Sequence, residues 1–354
     1  MKTLLLFEST PTPVPQMTAW MLADLSEARG RQGLFTRQSP QKLKSLREHA
    51  LIESSVSSNR IEGVSVAPSR IGTLVFGKPL LRDREEEEVR GYRDALEWVH
   101  EKAKSIPFSE ATILRFHALS RGESGDAGVY KKSENDIIEK YPDGRQRVRF
   151  QPVRAAQTAS AMKEFVSAWE RGMEAAAVHP LLLAAASNLD FLCIHPFRDG
   201  NGRTSRLLFL LQAYRLGFDV GRYISLERLI EQNKTRYYET LELSSRGWHD
   251  GKHDPWPYIS FMLYILKSAY KEFEARVGDV VEAKGAKAEV VELAVRRQTD
   301  KFKLADIERL CPGISREWIR TLLGQMKESG EVTCLGKGPA ARWRYCGGKG
   351  STSK

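Results

Sequence analysis

Residues 179–194, HPLLLAAASNLDFLCI, form an apolar, alanine-rich stretch. Residues 203–216 then resume a helical apolar pattern through Leu207, Leu208, Leu211 and Tyr214. Segments this apolar must be covered by the rest of the chain, so both are expected as buried helices. Between them runs HPFRDGNGRTSR, residues 195–206, with a histidine, an aspartate, two glycines flanking an asparagine, and two arginines three positions apart. That is too much polar chemistry for a core. The expected architecture is a mainly α fold organised around two central helices that hold a polar loop.

Most of the chain reads as helix. Residues 84–104, REEEEVRGYRDALEWVHEKAK, place Val89, Tyr92, Leu96 and Val99 at helical spacing with acids early and bases late, in accord with the helix dipole. The acidic run reads as a solvated face. Residues 128–152 change character: a turn at Pro142, Asp143 and Gly144 separates a short apolar run from the alternating RVRF, which predicts a β-hairpin. Composition shifts again after residue 275. Over residues 286–346 the order helix, helix, turn, helix and two-stranded wing predicts a separate winged helix-turn-helix domain. The GGKGSTSK tail, residues 347–354, is expected to be disordered.

A chain of 354 residues has ample apolar material for two or three domains. With 41% hydrophobic and 28% charged residues it reads as an ordinary globular protein, and no run approaches the roughly 18 apolar residues of a membrane span. In MKTLLLFEST the apolar stretch ends at Glu8 after four residues, so no export signal is read there. The four cysteines (193, 311, 334 and 346) form no CxxC pair, which argues against a zinc site or disulfide framework and for a cytoplasmic location. The formal charge of +10 favours an anionic partner such as nucleotide, nucleic acid or acidic protein.

The polar loop has the parts of an anion cradle. Gly200 and Gly202 let the backbone approach a ligand closely, and the following helix aims its free N–H groups and positive end at the same place. Arg203 and Arg206, three residues apart, are expected to share a face and grip successive phosphates of one ligand. Asp199 is a hard oxygen ligand suited to Mg²⁺ bridging phosphate oxygens. His195 is the group in the motif with a pKa near neutrality, suited to take a proton from an attacking hydroxyl.

Taken together, His195, Phe197, Asp199, Gly200, Asn201, Gly202, Arg203 and Arg206 match HxFx(D/E)GNGRxxR at every fixed position, and over about residues 20–275 the chain resembles the Fic family. The resemblance implies a protein adenylyltransferase that moves AMP from ATP to a hydroxyl of a target protein. His195 would activate a Ser, Thr or Tyr hydroxyl, and Asp199 would bind Mg²⁺. Gly200, Asn201, Gly202 and Arg203 would cradle the α and β phosphates, with Arg206 receiving the γ phosphate. Phe197 is expected to pack inward and anchor the loop. AGVYKKS, residues 127–133, resembles the family's GxYR segment with Lys131 in place of arginine, and the hairpin corresponds to the flap that aligns a target peptide by strand addition. In RYYETLE, residues 236–242, Tyr238 would supply an aromatic ring near the adenine. These boundaries assign residues 1–110 to an N-terminal helical region and 111–275 to the Fic core.

SSNRIEG, residues 57–63, by itself reads as a helix end capped by Gly63, with Glu62 solvated. The segment also matches the family's inhibitory pattern (S/T)xxxE(G/N) through Ser58, Glu62 and Gly63. By that resemblance Glu62 pairs with Arg206 and takes the place of the γ phosphate, as in the subclass with its brake in an N-terminal helix. A carboxylate there could also position water for removal of AMP, and self-association into a homodimer is a regulatory expectation from the family.

Residues 286–346 carry twelve Lys or Arg against eight Asp or Glu, an excess of four. Arg316 and Arg320, at the start of the expected recognition helix, could reach a major groove, and Lys337 and Arg342 fall in the wing. The competing reading is therefore a DNA-binding regulator whose Fic core senses nucleotide. The target protein is set by variable loops that sequence does not read.

Overall fold

A computed structural model describes residues 1–9, 12–36, 40–77, 79–140, 143–281, 287–296, 298, 301–311, 314–336 and 341–346. Pro142, Lys337 and the tail at 347–354 lie outside the described residues. The chain divides into two compact units, Met1–Glu274 and Ala275–Lys354. Among the described residues no helix is long and apolar enough to cross a membrane.

The first unit contains α1 (Lys2–Ser9), α2 (Gln16–Thr36), α3 (Pro40–Ile61), α4 (Pro68–Phe76), α5 (Arg84–Lys102) and α6 (Glu110–Arg121). The antiparallel hairpin β1 (Ile137–Lys140) and β2 (Gln146–Phe150) follows. Then come α7 (Thr158–Ala175), α8 (Pro180–Ile194), α9 (Asn201–Arg215), α10 (Leu226–Gln232), α11 (Lys234–Ser245) and α12 (Trp256–Val281), and the division between the units falls within α12. The expected hairpin is thus present, with Ile138 opposite Val148 and Lys140 opposite Gln146.

The expected pair of central helices is α8 and α9. Pro180 pre-sets the first turn of α8, and His179 Nδ1 accepts the Leu181 N–H at 3.2 Å. Every residue from 181 to 194 is buried, so α8 is covered on all sides. It stops because His195 adopts a left-handed conformation at φ 51° and Pro196 cannot continue a helix. Gly200, at φ 80°, opens α9 two residues ahead of the expected start. A side chain at 200 would crowd Arg121 Cδ at 3.1 Å and His117 Cδ2 at 3.3 Å, so the tight entry needs glycine.

Residues 2–9 are built into this core. Leu4 and Phe7 are buried, and the buried Asp190 of α8 accepts the Thr3 and Leu4 N–H groups, both at 2.9 Å, and Trp248 Nε1–H at 2.6 Å. One carboxylate on α8 therefore satisfies the open N-terminal turn of α1.

The acidic run at the start of α5 is only in part the solvated face expected of it, since Glu85 is exposed but two of its neighbours are not. Asp83 caps the helix by accepting the Glu86 N–H at 2.9 Å, and the helix then turns Glu86 and Glu88 inward, 4% and 1% exposed. Both are ion-paired, Glu86 with Arg70 at 2.7 Å and Glu88 with three arginines. Buried carboxylates persist only with such partners.

The second unit has α13 (Lys287–Arg296), α14 (Leu304–Leu310), α15 (Arg316–Glu328) and the antiparallel pair β3 (Val332–Leu335) and β4 (Arg342–Tyr345). Val291, Val295, Phe302, Ile307, Leu323 and Val332 lie in its own hydrophobic core. Phe302 bridges to Trp343 of β4, and Ser315 caps α15 by accepting the Trp318 N–H at 3.3 Å.

Candidate active site

The loop between α8 and α9 is held from inside. Phe197 is fully buried and stacks on His117 with ring centroids 3.7 Å apart. Asn201 Oδ1 accepts the Phe197 N–H at 2.9 Å, and its Nδ2–H donates to the Phe197 carbonyl at 2.7 Å. The Asn201 side chain is thereby spent on closing the loop, and what it can offer a ligand is its backbone N–H. His117 Nε2–H donates to the Asp199 carbonyl at 3.0 Å while Nδ1 accepts the Gly128 N–H at 2.9 Å, which assigns the tautomer. Burial lowers the His117 pKa to about 4, so the ring keeps the lone pair that Gly128 needs. The 127–133 segment and the residues after it are tied to the same loop: Lys131 N–H donates to Pro196 O at 2.9 Å, and Asn135 Nδ2–H to Phe197 O at 2.9 Å.

His195 stands at the end of α8 facing a cavity of about 580 Å³ lined also by Glu62, Gly202, Tyr237, Tyr238 and Glu242. Its Nδ1–H donates to Leu192 O at 3.3 Å, which leaves the Nε2 lone pair for the cavity. Burial first, and then the nearby Lys131 charge, lower the His195 pKa to about 4. At neutral pH the imidazole is uncharged and able to accept a proton.

Glu62 enters this cavity from the end of α3, where Gly63 takes φ 85°. Its Oε1 lies 2.8 Å from Arg206 Nη2. Ser58 holds the same guanidinium twice: its hydroxyl accepts from Nε and its carbonyl from Nη2, both at 2.8 Å. Burial opposes the charge on Arg206, but Glu62 outweighs it and the guanidinium pKa is raised. Arg206 Nη1 is buried and has no hydrogen-bond partner among the described residues. A Cβ at Gly202 would collide with Glu62 Oε1 and sit 3.1 Å from Arg206 Nη1. The Glu62 carboxylate therefore fills an anion cradle made by a bare glycine, a helix N-terminus without a side-chain cap, and one arginine.

The two motif arginines, expected to share a face, have different partners: Arg206 pairs with Glu62, which lines the cavity, whereas Arg203, 1% exposed, is committed elsewhere. Its Nη1 reaches Glu88 Oε2 at 2.8 Å, Asn59 Oδ1 at 3.1 Å and Ser120 O at 3.4 Å. Three positions along a helix separate side chains by about 60°, enough to divide them when both neighbours are packed. Asp199 is half exposed, with Oδ1 accepting the Gly200 N–H at 2.6 Å and Oδ2 pairing with Arg121 at 2.8 Å and Arg84 at 3.0 Å. Burial would raise the Asp199 pKa, but Arg121 and Arg203 outweigh that and hold it below the usual carboxylate value.

Tyr238 lines the cavity, and its hydroxyl donates to Ile61 O at 3.4 Å. The hairpin is fastened to the same helix: Arg149 donates to the Tyr238 carbonyl and lies 5.2 Å from the centre of the Tyr238 ring. Arg147 and Arg149 reach Glu242 at 3.1 and 3.4 Å. Phe150 stacks on His249 at 5.4 Å.

Residues 107–213, which include this loop, α8 and most of α9, match the model of the Fic/DOC family. Over this stretch the chain is similar to Fic domains. It is 26% identical over 258 residues to "Protein adenylyltransferase Fic" of Nematostella vectensis, covering 70% of this chain and 54% of that protein. It is 27% identical over 207 residues to "Protein adenylyltransferase fic-1" of Caenorhabditis elegans, covering 58% and 36%. The chain thus spans about half or less of the length of these curated relatives. In fold it is similar to a Fic family protein from Desulfovibrio desulfuricans G20, with TM-score 0.61 and 21% identity over 96% of this chain and 98% of that one. It is also similar to Fic-1 from C. elegans, with TM-score 0.56 and 20% identity over 75% and 74%.

The structure brings Glu62, His195, Gly202 and Tyr238 to one cavity, with Arg206 paired to Glu62 and held by Ser58. Asp199, Arg203 and the Asn201 side chain belong to an adjoining network of ion pairs and loop hydrogen bonds. Four of its members, Arg84, Glu88, His117 and Arg121, escaped the sequence reading. Glu88 was hidden in an acidic run whose helix-dipole role explained it already. For Arg121 and His117, on an ordinary amphipathic helix, no local pattern marked a role.

Proposed function

We propose that this chain is an ATP-dependent protein adenylyltransferase that moves AMP to a Ser, Thr or Tyr hydroxyl of a protein, itself included, and that Glu62 on Arg206 holds it off. One observation carries the reading. A neutral histidine with a free Nε2 faces the same cavity in which a carboxylate occupies a glycine and arginine anion cradle.

The chemistry follows from those groups. His195 Nε2 takes the proton of the target hydroxyl as its oxygen bonds to the α phosphorus. The bond from that phosphorus to the bridging oxygen breaks, and pyrophosphate leaves. The N–H groups at the start of α9 are suited to the phosphate oxygens, and Arg206, with its unpartnered Nη1, to the terminal phosphate. With Glu62 in place, that terminal phosphate meets a carboxylate instead of a free guanidinium fork. Tyr238 offers an aromatic face for adenine.

Among the described residues no cluster of three or more metal-ligating side chains is present. A Mg²⁺ carried by nucleotide needs only one or two protein carboxylates, and the half-exposed Asp199 fits that donor set. Such an ion would neutralise phosphate charge. Glu62, on the same reading, is suited to orient a water for removal of AMP. A homodimer and a cytoplasmic setting belong to this reading as well.

The test is incorporation of labelled AMP from ATP. Glu62→Gly is expected to raise self-labelling at least about tenfold, and His195→Ala in that background to abolish it. No incorporation above wild type by Glu62→Gly would reject the reading.

A second reading concerns the smaller unit, whose three helices and hairpin are consistent with a winged helix. Arg316 at the start of α15 and Arg342 and Arg344 on β4 are exposed, which favours a DNA contact, with the Fic domain as a nucleotide sensor. Salt-sensitive DNA binding by the full chain that weakens in Arg316→Ala with Arg342→Ala would support it, and the absence of any salt-sensitive DNA binding would reject it.

A further inference from the structure

Two carboxylates share the same arginines beside the cradle. Arg121 Nη1 lies 2.5 Å from Glu88 Oε1 and 2.8 Å from Asp199 Oδ2. Arg84 forks likewise, its Nε 2.9 Å from Glu88 Oε1 and its Nη2 3.0 Å from Asp199 Oδ2. Arg203 gives Nη1 to Glu88 at 2.8 Å, while its Nη2 stays 3.8 Å from Asp199 Oδ1. The Glu88 side chain is 2% exposed and that of Asp199 48%.

We infer that Glu88 is a positioning residue: by holding Arg84, Arg121 and Arg203 it keeps Asp199 available to a divalent cation delivered with nucleotide. The inference rests on the adenylyltransferase reading. With Asp126, 3.2 Å from Arg121 Nη2, the cluster sets three carboxylates against three guanidiniums. Neutralising Glu88 leaves the arginines in excess and releases Arg84 Nε, Arg121 Nη1 and Arg203 Nη1, so that Asp199 becomes the carboxylate within reach of all three, while Asp126 keeps Arg121 Nη2. That both repels a cation and occupies its oxygen ligand. Arg84 acts in the opposite sense. It is the one of the three with an exposed side chain, at 58%, and it must leave Oδ2 for a cation to approach freely.

The experiment uses the full chain as Glu62→Gly, so that Arg206 is free, with α,β-methylene-ATP and Mn²⁺, reading unbound Mn²⁺ by electron paramagnetic resonance. Glu88→Gln is expected to weaken Mn²⁺ binding about tenfold, and Arg84→Gln to tighten it roughly threefold. Combining the two brings the affinity back toward the parent. In turnover assays the Mg²⁺ concentration for half-maximal rate shifts in the same directions, with smaller changes at saturation. A purely structural role for Glu88 lowers thermal stability without giving Arg84→Gln its opposite sign. Arg84→Gln with unchanged or weaker Mn²⁺ binding overturns the inference, even if Glu88→Gln fails to fold, and so does unchanged binding in Glu88→Gln. A parent that takes up neither Mn²⁺ nor the analogue refutes the adenylyltransferase reading instead.

Discussion

Arg206 on α9 is clasped by Ser58 on α3 through both hydroxyl and carbonyl oxygens at 2.8 Å, and Glu62, one turn further along, closes on the same Nη2 at 2.8 Å. The guanidinium is 3% exposed, so its orientation is decided by these two residues and not by solvent. The contact thus has a fixed part, Ser58, and a part that reaches into the cavity, Glu62. Their removal is expected to have different consequences.

Ser58→Ala leaves a buried guanidinium N–H without its acceptor, which costs about 1–3 kcal/mol. Chemical denaturation should show that loss. Because Glu62 and the Ser58 carbonyl still hold Nη2, labelling from ATP should rise above wild type but stay below that of Glu62→Gly. Labelling equal to Glu62→Gly would mean that the hydroxyl, and not the carboxylate, maintains the contact.

Gly202→Ala places a methyl group into the cradle itself. In Glu62→Gly, where the carboxylate that a Cβ would strike is gone, helical backbone tolerates alanine at 202, so the thermal midpoint should stay close to that of Glu62→Gly. In the Glu62→Gly background, labelling should fall roughly a hundredfold or more, about 2.7 kcal/mol of lost transition-state stabilisation. Retained nucleotide binding, measured by calorimetry, would show that phosphate does not approach α9 at this residue.

Acid should be slow to silence the base. His195, with a pKa lowered to about 4, remains neutral where an ordinary imidazole has become charged. The pH profile of labelling by Glu62→Gly should be flat from about pH 7 down to 5 and fall toward 4. A limb centred near 6.5 would show that the imidazole is solvated in the working enzyme.

The same shifts bear on stability. His117 and His195 have folded pKa values lowered to about 4, and His100 to about 3, in each case chiefly by burial. The unfolded chain therefore binds more protons below about pH 6.5, and stability is lost as pH falls from there toward 4. The urea midpoint should drop between pH 7 and pH 5. Replacing His117 by Gln should flatten part of that slope.

Phe197→Ala removes a fully buried ring stacked 3.7 Å from His117 and should cost about 3–5 kcal/mol. Activity should decline along with stability, because the loop bearing His195 and Asp199 loses its anchor. A variant of unchanged stability would show that the Asn201 hydrogen bonds alone hold the loop.

Much of this site could be read from consecutive residues. The apolar runs before and after HPFRDGNGRTSR require buried helices, and the motif's histidine and Gly202 meet at the cavity as their chemistry suggests. The hairpin followed from its alternation and turn residues. Such features are local, since periodicity and turn chemistry belong to neighbours along the chain. The segment that carries Ser58 and Glu62 was singled out through resemblance; taken alone, Glu62 looked like any surface glutamate.

Tertiary packing decided the partners. Whether a glutamate in REEEE faces water or a guanidinium depends on which helix lies across from it, and α6 and α9 bring Arg121 and Arg203 to Glu88. That pairing commits Arg203 to Glu88 while Arg206 meets Glu62, although both stand on one helix three residues apart. The physical reason is the cost of an unpaired buried charge: each of these groups goes where packing supplies a counter-charge, and packing is not a property of local sequence.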